Sequence, residues 1–272
     1  MKRYPTILAI AGSDGSGGAG IQADIKTAAA LGCHALTLIT AVTAQNTREV
    51  ASVHQLGEAC LREQFRALYD DIAIDAVKIG MLGNRETVRV VSELLTELPA
   101  GTPVVLDTVL RSSSGTALLD EEVRAYFIER LFPRAGLVTP NLPEAAALLG
   151  LPAPPSGKEE VEAAARALLA LGARSVLLKG GHAEGPSSSD CLLHEGVVRW
   201  FTAERIESPN THGTGCTLSS AIASLLAKGE TMEEAVRQAK AYTTAAIRHG
   251  AGWRLGHGNG PLLHLPEAFG RT

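Results

Sequence analysis

The chain has 272 residues, of which 45% are hydrophobic, enough for one large α/β domain or two small ones with a full core. A formal net charge of -4, with no long run of like charge, argues against a nucleic-acid surface, an anionic-membrane surface or a charged interaction tail. Four cysteines without C-x-x-C pairing and eight histidines without zinc-site spacing argue against a soft-metal centre and fit a reducing cytoplasmic setting.

The first apolar run, "TILAIAG" (6–12), is too short for a secretory leader or a membrane span and predicts a buried strand. It runs into "GSDGSGGAG" (12–20), where Gly15, Gly17 and Gly20 spell G-x-G-x-x-G ahead of a helix over 20–31. A dinucleotide site needs an acidic residue at the end of the next strand to hold the ribose. That strand, "ALTLITAV" (35–42), is followed by Thr43, Gln45 and Asn46 and has no carboxylate, so the nicotinamide reading fails its own test. What remains is a glycine-rich turn, either plain or shaped for the close approach of a flat substrate.

A helix over 57–69 and a strand "AVKIG" (76–80) follow, then a helix over 85–97 and a strand "PVVLDTV" (103–109). Asp107 stands near the end of that strand, where open α/β sheets hold their ligands. A helix over 120–132 precedes the strand "GLVTP" (136–140). In "TPNLPEAAAL", Asn141 and Glu144 lie three apart at the start of a helix over 143–149, a spacing that suits two oxygen ligands of one hydrated Mg²⁺. "LPAPPSG" (151–157) is a surface connection, because the same α/β rhythm runs on either side of it. A helix over 158–171 leads to "SVLLKGG" (175–181), where Lys179 marks another strand end, either meeting phosphate or simply solvated.

Two runs around Glu195 and Gly196 predict an antiparallel hairpin. Helices over 215–228 and 231–248 and a glycine-rich "GHGNGPLLHL" come last. In "NTHGTGCT", Gly213, Thr214 and Gly215 precede the first of these helices, so bare N–H groups and the helix dipole form an anion hole. Cys216 at the helix start is expected to have a lowered pKa, or else to be a small buried residue under the turn. The alternation throughout predicts one parallel α/β domain over residues 1–272.

Taken together, "AGSDGSGGAGIQADIKT", "ITAVTAQNT", "KIGML", "TPNLPEAAAL", "LKGGH" and "NTHGTGCT" resemble the bacterial hydroxymethylpyrimidine/phosphomethylpyrimidine kinases of thiamin biosynthesis, in the ribokinase-like superfamily. The resemblance runs nearly end to end, including "GHGNGPLLH". It implies a three-layer α/β/α fold with a mostly parallel sheet and a small antiparallel hairpin. It implies Mg²⁺ and ATP, a soluble cytoplasmic homodimer, and two sequential phosphorylations: of the hydroxymethyl group of an aminopyrimidine, then of the monophosphate.

Carried over, the pattern puts the pyrimidine near Gly12, Asp24, Val42, Gln45 and Met81. Gln45 would read a ring nitrogen and an exocyclic amine, while Val42 and Met81 would pack the ring faces. Gly213 and Gly215 would stabilise the transferring phosphoryl group, and Cys216 would act as base where sugar kinases carry an aspartate. Lys179, Thr211 and Thr214 would lie along the nucleotide, and Asp107, Asn141 and Glu144 would organise the metal. The segment "DTVLRSSSG" departs from the pattern at Leu110, Arg111 and Ser113, which puts phosphate contacts there in doubt. The same-superfamily alternative is a pyridoxal kinase; the other is a non-catalytic ligand-binding regulator, against which the intact Asn141, Glu144, Gly213 and Gly215 speak.

Overall fold

A computed structural model describes residues 3–110, 115, 118–119, 121–181 and 185–266. In chain order the elements are β1 (Thr6–Asp14), α1 (Gly20–Ala30), β2 (His34–Gln45), β3 (Val50–Gln55), α2 (Glu58–Tyr69), β4 (Ala76–Ile79) and α3 (Arg85–Leu94). Then come β5 (Val104–Leu106), α4 (Arg124–Leu131), β6 (Leu137–Val138), α5 (Leu142–Leu149), α6 (Gly157–Ala170) and β7 (Ser175–Leu178). The last are β8 (Ser187–His194), β9 (Val197–Glu204), α7 (Thr214–Ala227) and α8 (Met232–Gly250).

All nine strands join one sheet in the order β3-β2-β1-β4-β5-β6-β7-β8-β9. The six strands from β2 to β7 are parallel, and β3, β8 and β9 run antiparallel to their neighbours. Strand side chains point alternately to the two faces. Leu8, Val77, Leu106, Val138 and Leu178 pack with residues of α2 to α6. Their neighbours Ile7, Ala76, Val105, Leu137 and Leu177 pack with α1, α7 and α8. Both faces are therefore covered, which is why these strands read as unbroken apolar runs. No helix among the described residues is long and apolar enough to cross a membrane.

The expected strands and helices fall close to the observed ones, with corrections. The second strand runs on to Gln45, past the expected end at residue 42, and pairs with β3, a strand that the sequence analysis did not predict. The reason is exposure: β3, "VASVHQ", is an edge strand with its residues half-buried or exposed, so it carries no apolar run. The expected strand over 136–140 shortens to Leu137–Val138, and the expected helix over 120–132 is a 3-10 turn at Glu121–Val123 followed by α4. The hairpin is present, turning through Glu195 (φ 49) and Gly196 (φ 78), both left-handed as a two-residue turn requires. Arg111 and Ser113 of the departing segment lie outside the described residues.

The chain leaves β1 toward β2 and β3, then returns to place β4 on the other side of β1. The carboxyl ends of β1 and β4 thus flank a point where the strand order reverses, which is where such sheets hold ligands.

Candidate active site

The site gathers around the carboxyl strand ends and the start of α7, with Asp24 from α1, Lys78 from within β4 and Glu144 from α5. At one end, the turn after β1 is built around Asp14. Its Oδ1 accepts from Ser16 N–H (2.9 Å) and Ser16 Oγ (2.7 Å); its Oδ2 accepts from Gly18 N–H (3.1 Å) and Ala19 N–H (2.8 Å). His212 Nε2 lies 2.8 Å from the same Oδ2. Burial works against the charge, but these hydrogen bonds outweigh it and hold the Asp14 carboxyl down at about 2.

The glycines of this turn bring backbone against backbone. Gly213, at φ 84, lies so close to Gly18 that a methyl group on it would overlap the Gly18 carbonyl. A methyl on Gly18 would strike the His212 ring. The glycine-rich segment 12–20 therefore docks against the loop that opens α7, and it positions Asp14 rather than a dinucleotide.

Gln45, at the end of β2, places its amide Nε2 3.1 Å from His212 Nε2. Gln45, Asn46, Thr47, Arg48, His212 and Asn259 border a cavity of about 310 Å³. A strap of chain borders it: His257 and Gly258 donate backbone N–H groups to Thr47 Oγ1 (3.2 and 3.1 Å). The same strap holds the α7 loop, because His212 N–H donates to the Gly260 carbonyl at 3.0 Å. Asn210 likewise donates its side-chain amide to the carbonyls of Gly250 (2.7 Å) and Trp253 (2.6 Å).

Gly12 and Met81 meet beside this region: a Cβ on Gly12 would lie 3.2 Å from Met81 Sδ. Val42 is 47% exposed on β2 and pairs in register with Ser13. Asp24 does not join them. It is fully buried on α1, paired with Lys78 Nζ at 2.8 Å and accepting from Ser220 Oγ. Ser220 is one turn beyond Cys216 on α7, so this ion pair sits beneath the cysteine. Burial opposes the Lys78 charge, but Asp24 outweighs it and the ammonium is held well above the usual lysine range. Sequence reasoning placed no role on Lys78, a single charge inside the apolar strand "AVKI".

A second cluster gathers at the ends of β5, β6 and β7. Lys179 Nζ donates to Asp107 Oδ1 at 2.8 Å, and Thr139 Oγ1 donates to the same oxygen at 3.1 Å. Ser219 Oγ lies 3.3 Å from Asp107 Oδ2, with the Gly215 carbonyl, at 2.9 Å, as its nearer acceptor. A Cβ on Gly215 would lie 3.3 Å from Lys179 Nζ. Burial opposes ionisation of Asp107, but Lys179 and Lys78 hold its carboxyl below the usual range.

Asn141 and Glu144 form a reciprocal cap on α5. Asn141 Oδ1 accepts from Glu144 N–H (2.7 Å), and Glu144 Oε2 accepts from Asn141 N–H (2.8 Å) and from Thr108 Oγ1 (3.3 Å). Burial pushes the Glu144 carboxyl up, with Lys179 pulling the other way. Asp107, Lys179, Gly215 and Glu144, expected from separate motifs, are thus one cluster. Thr211 and Thr214 lie beside it in the α7 turn, where Thr214 Oγ1 donates to the Thr211 carbonyl at 2.7 Å.

Cys216 corrects the expectation of a lowered pKa. Burial raises it first, and the Asp24 and Asp107 carboxylates add to that, so the thiol is pushed up to about 11 despite Lys78 and the Gly20 N–H. The helix terminus is outweighed because the thiol faces buried carboxylates as well as N–H groups.

The sequence profile of the family described as phosphomethylpyrimidine kinase matches residues 14–263. The chain is 44% identical over 265 residues to the hydroxymethylpyrimidine/phosphomethylpyrimidine kinase of Escherichia coli, covering 97% of this chain and 98% of that one. It is 47% identical over 263 residues to the bifunctional thiamine biosynthesis protein ThiED of Geobacter sulfurreducens, covering 97% of this chain but 53% of that protein, so it spans about half that relative's length. Among solved structures, the Staphylococcus aureus pyridoxal kinase in complex with AMP-PCP and pyridoxal superposes with a TM-score of 0.87 at 32% identity, covering 97% of this chain and 94% of that one. With a sheet covered on both faces, a glycine-opened helix start facing a Lys–Asp cluster, and these likenesses over nearly its whole length, the chain has the ribokinase-like fold and belongs to the phosphomethylpyrimidine kinase family.

Proposed function

We propose that the chain is an ATP-dependent kinase that phosphorylates 4-amino-5-hydroxymethyl-2-methylpyrimidine and then its monophosphate, giving the diphosphate used in thiamin biosynthesis. The observation that carries this reading is the spacing of two chemistries along one row of strand ends. A polar cavity at Gln45 and His212 suits a flat, hydrogen-bonding ring. The Gly213–Gly215 helix start beside Lys179 and Asp107 suits a polyphosphate.

In this reading the transferred group is held by the N–H groups at the start of α7, with Lys179 and the Thr211–Thr214 turn along the nucleotide. Phosphoryl transfer asks the protein chiefly for position and charge neutralisation. The donors present fit a hydrated Mg²⁺: both oxygens of Asp107 are engaged by Lys179, Thr139 and Ser219, and Glu144 Oε2 is engaged by its cap. Among the described residues no three His, Cys, Asp or Glu side chains converge on one point. Asp107, Asn141 and Glu144 would therefore hold the ion through its waters, as Mg²⁺ permits, and the ion would neutralise phosphate charge. Gln45 reads the ring edge, Gly12 and Met81 flank the ring, and Cys216, in its thiolate form, takes the hydroxymethyl proton to become the thiol. Asp24 acts from beneath, as the counter-ion of Lys78, and does not touch the ring. A cytoplasmic homodimer belongs to the same proposal.

The second reading, a pyridoxal kinase, is favoured by the likeness to the S. aureus enzyme. A substrate panel with Mg-ATP decides between them. Turnover of hydroxymethylpyrimidine and its phosphate with kcat/KM well above that of pyridoxal supports the first; the reverse order supports the second. Sedimentation of the intact protein tests the dimer.

A further inference from the structure

Two of the neighbours of His212 Nε2 make opposite demands. Nε2 lies 2.8 Å from Asp14 Oδ2 and 3.1 Å from Gln45 Nε2. An ionised carboxylate only accepts hydrogen bonds, so Nε2 must carry a proton toward Asp14. A protonated Nε2 has no lone pair left to accept from the Gln45 NH₂.

The other end of the same amide meets a second conflict. Gln45 Oε1 lies 3.4 Å from Thr43 Oγ1. That hydroxyl has one proton, and it already donates to the Ser13 carbonyl at 2.9 Å. The two ends of the amide therefore both face partners of the wrong sense. Oxygen and nitrogen of a side-chain amide are assigned from the surrounding network. Turning this amide by half a revolution removes both conflicts at once. Its oxygen then shares the His212 Nε2–H in a three-centre bond whose nearer acceptor is Asp14 Oδ2, and its NH₂ faces a lone pair of Thr43 Oγ1.

We propose that Asp14 and His212 are positioning residues that fix the orientation of the Gln45 amide, and through it the way round in which the substrate ring is read. The inference rests on Gln45 being the ring reader. The order of command runs outward: backbone N–H groups of the glycine turn hold Asp14, Asp14 holds His212, and His212 holds Gln45. A carboxamide has two donor and two acceptor positions. With one acceptor position given to His212 and one donor position to Thr43, one donor and one acceptor remain side by side. That pair matches a ring nitrogen next to an exocyclic amine, with the amine on the His212 side and the ring nitrogen on the Thr43 side. A pyridine without that amine leaves the Gln45 oxygen unmatched.

Two measurements test this on the intact protein. The first is the long-range ¹H–¹⁵N spectrum of histidine-labelled enzyme near neutral pH, with His212 assigned by its loss in His212→Phe. The expected result is a protonated Nε2; an unprotonated Nε2 overturns the orientation. The second is kinetic. His212→Phe is expected to raise the KM for hydroxymethylpyrimidine by roughly tenfold or more, the size of one lost buried hydrogen bond. The KM for ATP should stay within about twofold, and the preference for the pyrimidine over pyridoxal should fall. His212→Gln, whose amide N–H reaches a similar point, is expected to restore most of the loss. Equal losses toward both rings and ATP, with no recovery in His212→Gln, would reduce His212 to a packing residue and overturn the proposal. If the wild-type enzyme turned over no hydroxymethylpyrimidine, the proposed function would fail, while the nitrogen spectrum would still decide the orientation.

Discussion

Cys216 and Glu144 show how burial sets the chemistry of single residues. With its thiol at about 11, Cys216 is almost wholly protonated at neutral pH. If it is the proton acceptor, the first phosphorylation should quicken steadily as pH rises toward that value, and Cys216→Ala should lose this slope along with roughly 10²-fold of the rate. The second phosphorylation starts from an ionised phosphate and should show neither effect to the same degree. Pre-steady-state rates of both steps from pH 6 to about 10 would check this, and a slope unchanged by Cys216→Ala would remove the cysteine from proton transfer. Glu144 has a structural duty as well as a proposed chemical one, and Gln at that position serves a capping box too. Glu144→Gln should therefore keep its melting temperature while kcat falls about tenfold or more. A variant with full activity at low Mg²⁺ would leave the carboxylate as a helix cap only.

At the scale of elements, α1, β4 and α7 are pinned together by the Lys78–Asp24 pair, in which both side chains are 0% exposed. Removing one partner leaves the other as a buried, uncompensated charge, which costs about 3–5 kcal/mol. Lys78→Met should lower stability by that order in urea unfolding, and Lys78→Met with Asp24→Leu should recover much of it. If the double variant were no better than the single one, the loss would come from packing.

The same elements show what the sequence makes legible. Strands covered on both faces announce themselves as apolar runs, and Asn141 with Glu144 announces the start of α5. The edge strand β3 does not, because half-exposed strands mix residue types. His212 stood inside a quoted motif without a role, since only folding brings it against Asp14 and Gln45, each more than 160 positions away. Asp24 was drawn to the substrate by family pattern; its partner Lys78 becomes visible only once β4 is laid beside α1.

At the scale of the whole molecule, two buried groups, His264 and Asp14, contribute acid sensitivity in separate pH windows. His264 is held neutral, at about 4, chiefly by burial and then by Lys26, and its Nε2 lies 2.9 Å from Thr217 Oγ1 in the first turn of α7. Its folded pKa lies below the unfolded value of about 6.5, so its contribution of roughly 3 kcal/mol is complete above that value and is lost as pH falls to about 4. Asp14, depressed to about 2, has the usual carboxylate sign: its contribution is complete above about 3.9 and is lost as pH falls through 2. Stability should accordingly decline in two stages on acidification, and His264→Gln should flatten the first stage. Urea titrations at stepped pH would show it, and an unchanged upper stage would mean that His264 protonates without cost.

The strap that binds His212 to Gly260 has a consequence for synthesis. A ribosome delivers residues in order, and domains begin to fold as they emerge. The residues of β1, β2 and β3, Asp14 and Gln45 among them, have all been made once residue 55 is out. His212 arrives much later, and its loop is not fastened until Gly260 has followed. The sheet edge proposed to read the ring is therefore among the earliest parts made, while the clasp proposed to orient it is among the last. In a nascent chain the clasp is fastened only after α7 and α8 have been made to cover their face of the sheet.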